Sequence, residues 1–170
     1  MMADIFIKID GICGESQDAT HRHEIEAFSW HWTVSQIASM HSGSGRGAGK
    51  ASISDLHFSH AIDRTSPNLA SYCAQGRHIS QVKLTMRKPG GDPLEFYKII
   101  MYDVIITDVS PAAGAGQTIE HVALSFARVR KEYVVQSERG GRQGIVTTII
   151  DVEREPRRLI VDWAQPNDER

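Results

Sequence analysis

The feature that most constrains this chain is a two-residue hydrophobic period that recurs along most of its length. Side chains of an extended chain alternate between two faces, so this period predicts strands and excludes a helical protein. In residues 2–9 the isoleucines Ile5, Ile7 and Ile9 share a face, and Asp10-Gly11 follows as a turn. Residues 24–37 form a longer run, with Phe28, Trp30, Trp32 and Val34 on one face and Ser29, His31, Thr33 and Ser35 on the other. Fully extended, that run would span ~46 Å, beyond a usual strand. A bend, a bulge or a strand shared between two sheets is therefore expected within it.

The same period predicts strands over residues 53–62, around Val82, Leu84 and Met86, and over residues 94–109, 118–135 and 145–152. Leu56, Phe58 and Ile62 should share a face of the first of these. Lys88-Pro89-Gly90-Gly91-Asp92-Pro93 reads as a hairpin loop, residues 110–117 as a loop of small residues, and Gly140-Gly141 as a break. One segment departs from the period. Ser66 fits an N-cap, Pro67 a first helical position and Gly76 a left-handed terminator, with Leu69, Tyr72 and Cys73 on one stripe between them. A helix of about nine residues, ~14 Å long, is not stable alone and must lie on a sheet.

The expected fold is mainly β: a compact β-barrel or two-sheet sandwich of mostly antiparallel strands with one short helix on its side. The 170 residues fit one domain over 1–170, with residues 153–170 a polar C-terminal tail anchored by Trp163. The strand over residues 94–109 is apolar on both faces, with Leu94, Phe96, Ile100, Tyr102, Val104 and Ile106 on one and Tyr97, Ile99, Met101 and Ile105 on the other. The second face lies either under the helix or against another subunit, and the pattern leaves both open.

Motifs that could carry chemistry are weak. Ser44 to Ala51 resembles a phosphate loop, but Ser44 stands where the first glycine is needed, Ala51 replaces the magnesium-holding hydroxyl, and no helix follows. His21-Arg22-His23-Glu24 and His57-Phe58-Ser59-His60 lack the converging third and fourth ligands of a zinc site, and His57 and His60 should face opposite sides of a strand. His21 and His23 could share a face, but structural or surface histidines are the expected reading. Cys13 and Cys73 are too few for a disulfide framework, and neither has an evident base beside it. Glu15, Asp18, Glu24 and Glu26 read as solvated acids. Arg128, Arg130 and Lys131 have no interleaved aromatic residues, and with 19 basic against 21 acidic residues nothing draws the chain to nucleic acid. No apolar run approaches the ~18 residues of a membrane span. The acidic, alternating N-terminus is not a signal peptide, so cytoplasmic synthesis without Sec-type export is expected. No catalytic residue, cofactor or metal is expected.

Asp4 to Ile12, Gly14-Glu15-Ser16, His21, Glu24-Ile25-Glu26 and Ser29-Trp30-His31-Trp32 together resemble the N-terminal signature of the haemolysin-coregulated protein (Hcp) family of type VI secretion. The resemblance continues through Ser39-Met40-His41, Gly49-Lys50, Asp55-Leu56, Asp63 and Ser66-Pro67-Asn68-Leu69. It goes on through Gly76-Arg77-His78 and Leu84 to Lys88, and ends with Glu120 to Ala127 and Glu132-Tyr133. It thus covers roughly residues 2–135 in order, each piece weak alone and the set specific.

The resemblance implies a tight two-sheet barrel with a lateral helix, homohexameric rings stacked into a tube, and expulsion of that tube by a contracting sheath. Small effectors would travel in the ring lumen, the partners being the spike and sheath proteins, and no catalytic residue is implied. On this reading Ser29, His31 and Thr33 line the lumen, while Phe28, Trp30 and Trp32 lie inside the barrel. Met40, His41, Gly45, Gly47, Gly49 and Lys50 form an inter-subunit loop, and Tyr97, Ile99, Met101 and Ile105 an interface strand. The competing readings are a phage-like tail-tube protein and a small-ligand β-barrel enzyme.

Overall fold

The computed structural model describes residues 3–36, 51–90, 93–137 and 142–152, and the backbone of Val161–Asp162. Its elements are β1 (Asp4–Ile9), β2 (Ile25–His31), β3 (Val34–Gln36), β4 (Ala51–Ile53), β5 (Leu56–Ala61), α1 (Ser66–Gln75), β6 (Ile79–Lys88), β7 (Leu94–Gly114), β8 (Gln117–Gln136), β9 (Arg142–Asp151) and β10 (Val161–Asp162). Every pairing is antiparallel. The order β8-β5-β2-β1-β6-β7 closes when β7 pairs again with β8, giving a barrel of six strands. Its interior is filled by Ile7, Ile9, Ile25, Leu56, Phe58, Val82, Leu84, Ile99, Met101, Val104, Ile106, Val122, Leu124 and Val129. Strand β9 lies outside the closed ring, added to the C-terminal half of β8, and β3 and β4 form a separate two-stranded sheet.

The long run over residues 24–37 bends twice. A bulge lies between Ala27 and Ser29, and the chain then leaves the barrel at His31 to continue as β3 in the small sheet. The bulge corrects one expectation. One extra residue shifts the alternation, so Phe28 is turned outward and 57% exposed, while Trp30 and Trp32 still pack on the core. In β5 the expected face holds for Leu56 and Phe58, with His60 following them inward, whereas Ile62, just past the strand, is exposed.

The two-faced strand has an internal explanation. Asp103 adopts a left-handed φ of 52°, and the buried positions of β7 run Ile99, Met101, then Val104, Ile106. The inward face therefore changes parity at the kink. Ile99 and Met101 are fully buried within the single subunit, so neither is available to a neighbour as an interface residue. Tyr97 and Ile105 are half-buried. Helix α1 lies against β7 and inserts Leu69 into the core.

The helix ends as expected: Gly76 takes a left-handed φ of 58°, and the amides of Gly76 and Arg77 donate to the carbonyls of Cys73 and Tyr72. Its start differs. Thr65, not Ser66, is the N-cap, and the carboxylate of Asp63 accepts from both the amide and the hydroxyl of Thr65. The stretch 110–117 is not a loop but the end of the β7–β8 hairpin, paired out to Gly114 and Gln117. Its two-residue turn, Ala115-Gly116, has φ of 50° and 79°, the positive pair of a type I′ turn whose twist matches the strands.

Candidate functional surface

The bulge and the closed ring turn one set of mostly polar side chains away from the barrel interior, of which Ser59 and Ala123 are nonetheless buried. Across β2, β5, β8 and β7 the register aligns Ser29, Ser59, His121 and Ser110 in one row and His31, His57, Ala123 and Asp108 in the next. The row between them, Trp30, Phe58, Val122 and Val109, has the opposite parity and packs on the core. Ser29 and Ser59 share a hydroxyl hydrogen bond of 2.7 Å, and Ser110 Oγ donates to Asp108 Oδ2 at 2.7 Å. The rings of His31 and His57 stack at 4.7 Å between centroids and 3° from parallel. Thr33 lies past the strand end, where its amide donates to Ser54 Oγ. Ser29, His31 and Thr33 are all exposed. Such a surface offers many small hydrogen-bonding groups and no converging reactive set.

Of the acids that read as solvated, Glu15 and Glu26 are exposed, whereas Asp18 and Glu24 are partly or fully buried and, with His21, joined to partners. Arg87 bridges Asp4 at 3.0 Å and Asp18 at 2.7 Å, and its guanidinium lies over the Phe6 ring. Phe6 is also stacked at 4.2 Å with His21, a buried side chain. His21 Nδ1 donates to Glu24 Oε2 at 2.9 Å, while Nε2 lies 3.2 Å from Glu95, itself paired with Lys98 at 2.6 Å. Arg87 holds the Asp18 carboxyl well below the usual carboxylate range, aided by the Thr20 and His21 amides, and Asp18 raises Arg87 in turn. Burial pushes Glu95 up, but Lys98 and His21 outweigh it and the net shift is downward. This network pins residues 13–24 to the barrel wall. His21 and His23 do not share a face: His23 is exposed, with a left-handed φ of 62°.

A second pair lies deeper. His60 Nε2 donates to Glu120 Oε2 at 3.1 Å, both side chains being almost inaccessible, and Nδ1 faces Asp63 Oδ1 at 3.9 Å. The neighbouring hydroxyl of Ser59 points the other way, to Ser29, so the pair activates no nucleophile there. Sequence reasoning missed this pair, since a strand histidine shows its partner only once β5 and β8 are in register.

Other expectations are placed as follows. Cys13 is exposed and Cys73 half-buried against the core. Lys131 lies over the rings of Trp32 and Tyr97, Arg130 pairs with Glu132 at 2.6 Å, and Arg128 lies 4.0 Å from Asp151, so the basic triplet is spent on internal contacts. Met40, His41, Gly45, Gly47, Gly49 and Lys50 lie outside the described residues. Among the described residues no three His, Cys, Asp or Glu side chains converge as a metal site, and no helix is long and apolar enough to cross a membrane.

Among the described residues, the structure is a closed antiparallel barrel whose buried ionisable side chains pair with neighbouring groups. Residues 6–133 match the family described as "Type VI secretion system effector, Hcp". The chain is 42% identical over 147 residues to Hcp1 of Pseudomonas aeruginosa, covering 85% of this chain and 91% of that one. Its fold matches the crystal structure of Hcp1 from Salmonella typhimurium with a TM-score of 0.75 at 46% identity, over 90% of this chain and 97% of that one. It matches a type VI secretion system effector from Yersinia pestis with a TM-score of 0.73 at 41% identity, over 88% and 100%. The chain belongs to the Hcp family, whose members are secreted structural tube proteins of type VI secretion and not enzymes.

Proposed function

We propose that this chain, acting as one Hcp-like domain over residues 1–170, closes head to tail into homohexameric rings. The rings stack into a tube that the type VI sheath expels behind its spike, with small effector proteins held in the lumen. Assembly takes place in the cytoplasm and export runs through the type VI system without a signal peptide, with neither nucleic acid nor membrane insertion involved.

The observation that carries the reading is the outward strip over β2, β5, β8 and β7, with its exposed Ser29 and His31 and the pair partners Ser59 and His57. Small polar groups on a curved outer sheet suit the wall of a solvated channel, and we assign Ser29, His31 and Thr33 to it. A head-to-tail ring needs two unlike patches on each subunit. Exposed apolar side chains of the described residues include two separate groups, Phe28 and Val34 on β2–β3 and Tyr133, Ile145, Val146 and Ile149 on β8–β9. Of the β7 residues expected at an interface, Ile105 and the accessible part of Tyr97 remain for that role. The glycine-rich loop with Met40, His41, Gly45, Gly47, Gly49 and Lys50 is assigned to reach the adjacent subunit or the next ring.

Negative-stain images should show rings with a central hole, and native mass spectrometry six copies. His31→Asp should leave the ring mass unchanged and alter retention of a co-expressed effector. Loss of the ring in that variant would place His31 in a subunit contact, and a parent protein that stays monomeric would overturn the assembly reading.

A further inference from the structure

We propose that His31 and His57 form a two-histidine chelate for a divalent late transition ion of the nickel, copper or zinc class. The two residues stand directly opposite each other in the β2–β5 pairing, so their side chains leave the same face of the sheet. Their rings lie 4.7 Å apart between centroids and 3° from parallel. His31 is exposed and His57 half-buried, so both can be reached from solvent. Among the described residues neither ring has a hydrogen-bond or ion-pair partner, whereas His21 and His60 each face two carboxylates. The ring nitrogens of the pair are thus uncommitted, and a neutral imidazole keeps one lone pair free for a metal.

Imidazole nitrogen suits nickel, copper and zinc, at bond lengths of about 2.0–2.1 Å. Two such nitrogens at adjacent positions on one ion stand about 3 Å apart. The nitrogen-bearing edges of the stacked rings must therefore lean together by about 1–2 Å, which the broad second side-chain torsion of an accessible imidazole allows. The surroundings favour a cation. The two outward-turned rows around the pair contain no lysine or arginine, and Asp108 brings a carboxylate to the row that holds His31 and His57. His121 stands opposite Ser59 in the next row and does not converge with the pair as a third ligand, so water completes the coordination shell. Both histidines come from one subunit, and the site does not depend on the assembly proposed above.

The probe is Ni2+ alone, which spares the exposed Cys13 the oxidation that copper would bring. Titration calorimetry of the full chain, prepared without a histidine tag, should show Ni2+ binding that either His31→Ala or His57→Ala weakens about tenfold or more, because a second ligand already in place acts at high effective concentration. His121→Ala should leave the affinity within about twofold, since that ring is no part of the chelate. In the unsubstituted protein Ni2+ should slow diethyl pyrocarbonate labelling of His31 and His57 but not of His121, mapped by peptide mass spectrometry. That readout is independent of any effect of the substitutions on folding. A monomeric protein that binds Ni2+ in this way would refute the assembly and keep the site. No Ni2+ binding, unchanged affinity in both single variants, or protection shared equally by His121 would overturn the proposal. Binding lost in one variant only would also overturn it, in favour of a single-histidine contact.

Discussion

Replacing Gly14 by alanine tests the packing of the segment between β1 and β2. A Cβ at Gly14 would lie 2.3 Å from the carbonyl oxygen of Glu24, 2.5 Å from its carbonyl carbon and 2.8 Å from the nitrogen of Ile25. All three are main-chain atoms, so no rotamer change relieves the overlap, and the segments must part by about 1 Å to approach ordinary contact near ~3.5 Å. The same segments are joined by the Gly14 amide donating to His23 O at 2.7 Å and the Ser16 amide donating to Glu24 O at 3.1 Å. Losing both bonds costs about 1 kcal/mol each, and the overpacking adds ~1–3 kcal/mol. The expected loss is ~3–5 kcal/mol, or roughly 6–20 °C in Tm for a chain of this size.

The assay is thermal unfolding by circular dichroism at one fixed protein concentration, because Tm depends on concentration for any protein that self-associates. Gly144→Ala in β9 is the control: its added Cβ meets nothing within 4 Å, and the expected change is within about 1 °C. The reasoning fails if Gly14→Ala melts within about 2 °C of the parent, or if the two variants fall equally.

Three further outcomes follow from single sites. Arg87→Met removes the cation that depresses Asp18. A carboxyl lowered in the folded state contributes stability above its unfolded pKa of ~3.9 and loses it as pH falls through the folded value, so the variant should show a shallower decline in urea midpoint below about pH 4; an unchanged slope would refute the assignment. Leu69→Ala truncates the buried side chain by which α1 enters the core and should cost ~2.7–5 kcal/mol, with faster hydrogen exchange over residues 66–75; protection equal to the parent would show that other contacts hold the helix. Ala115→Asn places a residue suited to positive φ at the φ of 50° and should raise Tm by roughly 2–4 °C, about 1 kcal/mol; a lowered Tm would argue against the type I′ turn.

Most strands, the helix and its glycine terminator were legible because each rests on local periodicity or capping chemistry, whereas β10 falls in the stretch read as a polar tail. What stayed hidden depended on pairing. Phe28 reads as inward because a bulge adds one residue without changing composition, and only the Ala27/Ser29 register shift shows it. The stretch 110–117, rich in Ala, Gly and Pro, has little strand character of its own and is held by its partner strand. Ser29 and His31 could be assigned to an outer face by alternation. Their cross-strand partners Ser59, His57, His121 and Ser110 could not, because closing β8 onto β5 is a long-range event. Glu24 and Asp18 read as solvated because burial of an acid depends on a basic partner brought from elsewhere, here His21 and Arg87.

Buried ionisable groups ordinarily raise the prospect of an active site, and their placement here argues for a different role. His60 and Glu120 stand directly opposite each other in the β5–β8 pairing and are sixty residues apart in the chain. No tight turn sets the register of that seam, as Ala115-Gly116 does for β7 and β8. Arg87 acts similarly at a distance, drawing Asp4 of β1 and Asp18 of the following segment onto β6. A one-residue slip in the β5–β8 seam would leave the buried polar groups of His60 and Glu120 without their hydrogen bond, at a cost of about 1–3 kcal/mol, as well as turning each strand's apolar set outward. The paired polar groups therefore select one closed barrel among near alternatives. For a tube protein such as this Hcp family member, selection of one register matters more than added stability.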